Sequence, residues 1–222
     1  MANYVLVHGA WHGPWCWDAV ASSLRRAGHR VVATELHRGT LAADTAAVQR
    51  DVDALATRGS VVVCGHSYAG AVITGLRPDN LRRLIYLTAF MPSADESVQT
   101  MLVGRPASDV GSAMVMGDDG TSTIDPVIGP AVFYGDCDPA DQQRAIASLR
   151  PQSMLCFTAE PGRAAWLDVP STYVVCGQDR AITPELQRSM AARATDSVEW
   201  STSHSPFMSK PEMVVSLLEN YA

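Results

Sequence analysis

Short apolar runs alternate with stretches of helical spacing along most of the chain. Tyr4–Val7 reads as a buried strand that runs into a Gly- and aromatic-rich loop, "HGAWHGPWCW". A helix is expected over about Cys16 to Ala27, ended by Gly28, followed by a strand over Arg30–Thr34. Asp44–Thr57 places Val48, Val52, Leu55 and Ala56 on one helical face, and Gly59 stops it before an apolar strand over Ser60–Cys64. Small and apolar residues over Ala69–Leu76 suit a buried helix, and "LRRLIYLTAF", Leu81–Phe90, supplies another strand. "STYVVCGQD", Ser171–Asp179, reads as a further strand. A helix over Pro184–Ala194, a last strand over Ser197–Trp200 and a closing helix over Pro211–Tyr221 complete the pattern. Continuously apolar strands joined by helices imply an α/β fold with a parallel sheet covered on both faces.

One segment breaks the alternation. Met91–Asp168 is rich in Gly, Pro, Met and Asp and shows no clear strand, although "DPADQQRAIASLRPQ" has helical character from near Asp138-Pro139. So long a connection inside a compact domain usually has a function. It is read as a cap, residues 91–168, over the carboxyl ends of the strands of a core formed by residues 1–90 and 169–222.

Composition narrows the function classes. A chain of 222 residues suffices for one sizeable domain, and a net charge of −6 without any basic stripe argues against nucleic-acid binding. The start of the chain lacks the charged and apolar regions of a signal peptide, and no apolar run has membrane-spanning length, so no membrane association is expected. The five cysteines form no C-x-x-C pair, and Cys64 and Cys176 sit inside apolar runs. This pattern fits a reduced, cytoplasmic protein, and neither Cys nor His clusters at metal-ligand spacing.

Reactive groups of a parallel sheet gather beyond the carboxyl ends of its strands. Ser67 follows one strand in "VVVCGHSYAG", Asp179 another in "VVCGQDRAI", and His204 the last in "STSHSPFMSKP". The order Ser…Asp…His is that of an α/β-hydrolase triad. G-x-S-x-A departs from G-x-S-x-G at Ala69, which adds one methyl group at a tight strand-to-helix turn while Gly70 leaves room beside it. Among six histidines only His204 lies between the last strand and a C-terminal helix, where a base for the serine belongs. Asp179 is the candidate orienting carboxylate, against the plainer reading of a turn residue paired with Arg180. Asp168 and Asp196 are rivals at the wrong edge of the sheet. The amides of Tyr68 and Ala10 are the candidate oxyanion donors, with Gly9 allowing close approach of the backbone to a substrate.

Together "VLVHGAWHGPWCWDAVASSLRRAGHRVVATEL", "VVVCGHSYAG", "LIYLTAFMPSADES", "YGDCDPADQQRAIASLRPQS", "YVVCGQDRAI" and "HSPFMSKPEMVVSLL" resemble the plant-type methyl-ester esterase and hydroxynitrile lyase group of the α/β-hydrolases. That group includes methyl salicylate and methyl jasmonate esterases and bacterial pyrethroid-type carboxylesterases. The resemblance covers most of the chain and is weakest around Val103–Ile128. It implies a mostly parallel six-stranded sheet, a small and mainly helical cap, a triad of Ser67, Asp179 and His204, and a homodimer. In the lyases a threonine stands in place of Gly9 and a lysine directly follows the catalytic histidine, where this chain has Ser205. Without that fixed positive charge the resemblance favours ester hydrolysis over cyanohydrin cleavage.

The reaction so implied needs no metal and no organic cofactor. The expected partner is a small-molecule ester, small to medium in size and hydrophobic. Its pocket is expected between Trp11 and cap residues Phe133, Tyr134, Leu149, Met154, Phe157 and Trp166, with Gly9 beneath, although apolar cap residues mostly pack on one another. Arg105 and Arg163 are the remaining candidates for binding a substrate carboxylate. Carbon–carbon lyase or hydrolase chemistry on the same triad, and a non-catalytic ligand receptor of the same fold, are the competing readings. An aspartate nucleophile, as in epoxide hydrolases and haloalkane dehalogenases of this fold, is absent at position 67.

Overall fold

The computed structural model describes residues Met1–Ala222. Six strands run parallel in one sheet: β1 (Asn3–Val7), β2 (Arg30–Thr34), β3 (Val61–His66), β4 (Leu81–Leu87), β8 (Ser171–Cys176) and β9 (Asp196–Trp200), in spatial order β2-β1-β3-β4-β8-β9. Alternate residues of each central strand feed opposite cores. Val5, Val7, Val61, Val63, Leu84 and Tyr86 join the larger apolar cluster, whereas Tyr4, Leu6, Val62, Cys64, Ile85 and Leu87 join the smaller one. That two-sided demand explains why these strands read as unbroken apolar runs.

Helices α1 (Asp18–Arg26), α10 (Pro206–Ser209) and α11 (Pro211–Glu219) cover the smaller cluster, α1 burying Val20, Ala21 and Leu24. Helices α2 (Leu41–Ala56) and α3 (Ala69–Thr74) lie on the other face, and α9 (Pro184–Ala191) packs against β8. Thr40 caps α2 by accepting from the Ala43 amide, so the helix starts earlier than the apolar spacing suggests. Gly28, with a φ of 88°, ends the turn after α1 in a conformation that favours glycine.

The chain between β4 and β8 contains the short helices α4 (Val98–Leu102), α5 (Val110–Ala113), α6 (Gly129–Phe133), α7 (Pro139–Ala147) and α8 (Leu155–Thr158). It also contains an antiparallel sheet of β5 (Met114–Met116), β6 (Thr121–Ile124) and β7 (Gln152–Ser153), which corrects the expectation of a segment without strands. Strands this short carry too few alternations to register as a pattern. The signal that was present is Asp119-Gly120 between β5 and β6, where Gly120 has a φ of 77° and Asp119 accepts from the Thr121 amide at 3.0 Å. All five cysteines are free and buried, and no helix is long and apolar enough to cross a membrane.

Candidate active site

Ser67 stands between β3 and α3 with a φ of 55°, a left-handed conformation that an L-residue adopts at a cost. The turn is held from both sides: the Ser67 amide donates to the Leu87 carbonyl at 3.3 Å, and the Ser67 carbonyl accepts from the Phe90 amide at 3.0 Å. Small residues are required here for specific reasons. A Cβ on Gly65 would come within 2.9 Å of the Ala69 carbonyl oxygen, and one on Gly70 within 2.0 Å of the Phe90 carbonyl oxygen. Ala69 itself is fully buried in the larger core. The helix therefore crowds strand β3 at Gly65 and the chain after β4 at Gly70, and the methyl of Ala69 is accommodated.

His204 and Asp179 meet at this turn's edge of the sheet. The His204 Nδ1–H donates to Asp179 Oδ2 at 2.7 Å, and both side chains are buried. Asp179 Oδ2 also accepts from the Thr88 hydroxyl and from Gln187 Nε2 at 2.9 Å, while Oδ1 accepts from the amides of Ala181 at 2.7 Å and Ile182 at 3.0 Å. Five donors thus offset the loss of water around one carboxylate. Arg180 turns away and pairs with Asp109 at 2.6 Å, Asp196 pairs with Arg83 at 2.8 Å, and Asp168 is exposed in the turn before β8. Neither rival carboxylate reaches the histidine. Because the Nδ1–H is held by Asp179, Nε2 of His204 is the basic nitrogen, and it has no partner within the protein.

The loop after β1 is fixed by two histidines. The His8 Nδ1–H donates to the Gly9 carbonyl at 2.9 Å, and its Nε2 accepts from the Leu36 amide at 3.2 Å. A carbonyl can only accept and an amide can only donate, so the tautomer is fixed. The Gly9 carbonyl and the Ala10 amide belong to one planar peptide unit, so holding the oxygen aims the N–H the opposite way. His12 repeats the device, donating from Nδ1 to the Ala10 carbonyl at 2.8 Å and accepting from the Tyr134 hydroxyl at 2.8 Å. Burial pushes His8 down to about 4 and His12 down to about 3, so both are neutral at ordinary pH. Tyr68 is anchored through its side chain. Its hydroxyl donates to Asp44 Oδ2 at 2.8 Å, while Asp44 Oδ1 accepts from the Arg38 amide at 2.9 Å. Burial raises the Asp44 carboxyl above its ordinary value. The amides of Ala10 and Tyr68 donate to no acceptor in the protein.

Ser67, Ala10, Trp11 and Tyr68 share a cavity of about 310 Å³ with Phe133, Met154 and Phe157. Gly9, Tyr134, Leu149 and Trp166, expected in its wall, lie elsewhere. A Cβ on Gly9 would sit 2.9 Å from both His66 Nδ1 and Ser67 Cβ, so Gly9 packs under the serine turn. Tyr134 is fully buried on His12, Leu149 packs against the core, and the Trp166 indole donates to the Pro92 carbonyl at 2.8 Å. Phe90, Val98, Leu102, Val110, Met114 and Ile182 also line the wall; no pattern in the sequence marks them, because four of them sit on or next to short elements between β4 and β8 and the other two on loops after β4 and β8. No Lys, Arg, Asp or Glu lines the cavity; Arg105 and Arg163 are exposed.

A family model described as the alpha/beta hydrolase family matches residues 4–217. Over 131 residues, 53% of this chain and 54% of the relative, the sequence is 37% identical to a carbendazim hydrolyzing esterase of a Nocardioides strain. It is 26% identical to methylesterase 1 of Arabidopsis thaliana over 96% of this chain and 92% of the relative. The solved structure of a pyrethroid hydrolase from Sphingobium faniae superposes with a TM-score of 0.86 at 26% identity, covering 99% of this chain and 96% of that one. The serine turn between β3 and α3, the buried His204–Asp179 pair, the strand order and this likeness over the full length agree: the chain belongs to the alpha/beta hydrolase family.

Proposed function

We propose that the protein is a serine carboxylesterase for uncharged, hydrophobic esters of small to medium size. The observation that carries the reading is the His204–Asp179 pair, with Nε2 of His204 unpartnered at the same edge of the sheet as the serine turn, while the Tyr68 amide next to Ser67 and the Ala10 amide of the loop after β1 are also unpaired. Relatives named as esterases and methylesterases support the same chemistry.

In the proposed reaction His204 Nε2 takes the proton of the Ser67 hydroxyl as Oγ attacks the ester carbonyl. The resulting oxyanion accepts from the Ala10 and Tyr68 amides. Collapse expels the alcohol, which receives the proton from Nε2 and leaves Ser67 acylated. Water then attacks, losing a proton to Nε2, and the acid departs. Asp179 holds the imidazole in the tautomer that can begin the cycle and stabilises the imidazolium in between.

The charge-free wall supports neutral substrates, since an ionised group taken into it would lose its water without gaining a counter-ion. Cyanohydrin cleavage is disfavoured at two positions. The space at Gly9 has no room for a threonine side chain, and Ser205 supplies no positive charge. Residues 91–168 act in this reading as the cap that sets substrate range.

Hydrolysis of p-nitrophenyl acetate and butyrate by the wild type and by Ser67→Ala tests the assignment. Replacement of Ser67 is expected to lower kcat by roughly 10⁴-fold or more. A fluorophosphonate is expected to modify the peptide carrying Ser67. Equal hydrolysis by the two proteins, or modification elsewhere, rejects Ser67 as the nucleophile.

A further inference from the structure

His204 is gripped from more than one direction. On the core side, the His66 Nε2–H donates to the His204 main-chain carbonyl at 2.8 Å, and Asp179 holds the ring. On the other side stands a carboxylate that the triad chemistry does not use. Asp136 lies in the turn between α6 and α7 and is half-buried. Its Oδ2 accepts from the Ser203 amide at 3.0 Å and from the Ser209 hydroxyl at 3.0 Å, and its Oδ1 accepts from the Ser203 hydroxyl. Ser203 immediately precedes His204, and Ser209 ends α10, which begins two residues after it. One side chain therefore ties both ends of the histidine loop to the segment between β4 and β8.

The residues just before Asp136 reach the same machinery. The Phe133 ring meets the His204 ring edge-to-face at 5.5 Å between centroids, and the Tyr134 hydroxyl donates to Nε2 of His12. A short stretch from Phe133 to Asp136 thus touches the imidazole, the loop carrying the histidine and the loop carrying the Ala10 amide. Charge-assisted hydrogen bonds donated to a carboxylate by a backbone amide and two hydroxyls are among the stronger polar contacts available to a loop. Nothing else in that stretch explains a half-buried charge: no Lys, Arg or His pairs with Asp136.

We infer that Asp136 is a positioning residue for His204, holding the imidazole in line with Ser67 through Ser203 and Ser209. It makes no contact with the reacting atoms. The inference rests on the esterase reading for its kinetic consequences. Small misplacements of a general base lower the rate of chemistry more than they weaken substrate binding.

The test compares Asp136→Ala, Asp136→Asn and Ser209→Ala with the wild type on p-nitrophenyl butyrate, with kcat expressed per site titrated by fluorophosphonate. Asp136→Ala is expected to lower kcat by about 10²-fold and Asp136→Asn, which keeps one acceptor oxygen, by about tenfold. Ser209→Ala, which removes a single bond, is expected to lower it about threefold, and KM is expected to stay within about threefold of wild type throughout. Solvent exchange of the His204 Nδ1 proton, followed by NMR on ¹⁵N-histidine-labelled protein, is expected to quicken in the same order. Wild-type kcat per titrated site in the Asp136 variants, or unchanged proton exchange, overturns the inference, even if thermal stability falls. Should Asp136→Ala not fold, the other two variants decide. A wild type that fluorophosphonate does not label at Ser67 refutes the esterase reading, and the exchange measurement then still decides the role of Asp136.

Discussion

Around Asp179 each carboxylate oxygen is matched to named donors, whereas the wall of the cavity above Ser67 presents a substrate mainly with carbon. The two regions adjoin at Ala181 and Ile182, whose amides hold Asp179 and whose residues line the cavity. Their construction differs because their tasks differ. A general base must be kept within a few tenths of an ångström and in one tautomer, which fully satisfied hydrogen bonds from rigid elements achieve. A cavity that selects by shape and hydrophobicity tolerates rearrangement, and Met and aromatic side chains on the short elements between β4 and β8 adapt without leaving polar groups unpaired. Substitutions at the first region should therefore act on rate and at the second on preference.

The largest effect expected tests the first half of that contrast. In Asp179→Asn the side-chain carbonyl is compelled to occupy the Oδ1 position, because the amides of Ala181 and Ile182 offer only donors there. The new NH2 group then faces Nδ1 of His204 and opposes the Gln187 NH2 group, while the Thr88 hydroxyl must turn to accept from it. The imidazole must move its proton to Nε2, the nitrogen that has to accept from Ser67. A fall in kcat of about 10⁴-fold is expected, with KM little changed, as for the analogous change in other triads. Steady-state kinetics on a single ester checks this; a loss below tenfold shows that the hydrogen-bond pattern does not dictate the tautomer.

An intermediate effect comes from three buried histidines, of which His8 and His12 hold the loop after β1 and His66 holds the His204 carbonyl. His8, His12 and His66 are buried and each is depressed by burial, His8 to about 4 and His12 to about 3. In the unfolded chain they titrate near 6.5. Between these values the unfolded state binds protons that the native state refuses, so stability is fully present above about pH 6.5 and falls as the pH drops towards 4. The expected loss is about 1.4 kcal/mol per pH unit for each histidine that stays neutral in the native state. Urea denaturation at a series of pH values measures it. His8→Asn and His12→Asn should each flatten the slope by about one proton, and an unchanged slope means these rings are not neutral in the folded protein.

Most of the core was readable because β1, β3, β4 and β8 are buried on both faces, leaving runs such as "VVVC" that admit little other interpretation. Ser67 and Asp179 could be nominated because each follows such a strand, and His204 because it lies between the exposed edge strand β9 and a C-terminal helix. The supporting groups could not. Thr88, Gln187 and Asp44 reach the site across the fold, and no spacing in the sequence announces which distant hydroxyl or amide will complete a buried carboxylate. Tyr134 and Trp166 were misplaced for a related reason: an aromatic residue carrying a polar atom satisfies that atom first, on His12 and on the Pro92 carbonyl. Strands β5, β6 and β7 escaped because they are stabilised by one another and not by a repeating apolar face.

The smallest expected effect sharpens the second half of the contrast. Phe157, half-buried on α8, lies between Trp11 and Tyr68, with ring centroids 5.8 Å and 5.5 Å away. It forms wall without touching the hydrogen-bonded groups that hold His204. Truncation to alanine enlarges the cavity next to the serine turn and removes apolar contact from short substrates, while long ones gain room. Methylene-scale changes in an apolar pocket are worth roughly 1–3 kcal/mol of discrimination. The ratio of kcat/KM for p-nitrophenyl octanoate to that for the acetate is therefore expected to rise about tenfold in Phe157→Ala, with kcat on butyrate within about threefold of wild type. A shift in kcat as large as that from Asp179→Asn would mean that the wall also positions the triad, and the division between rigid chemistry and adaptable selection would not hold at this side of the cavity.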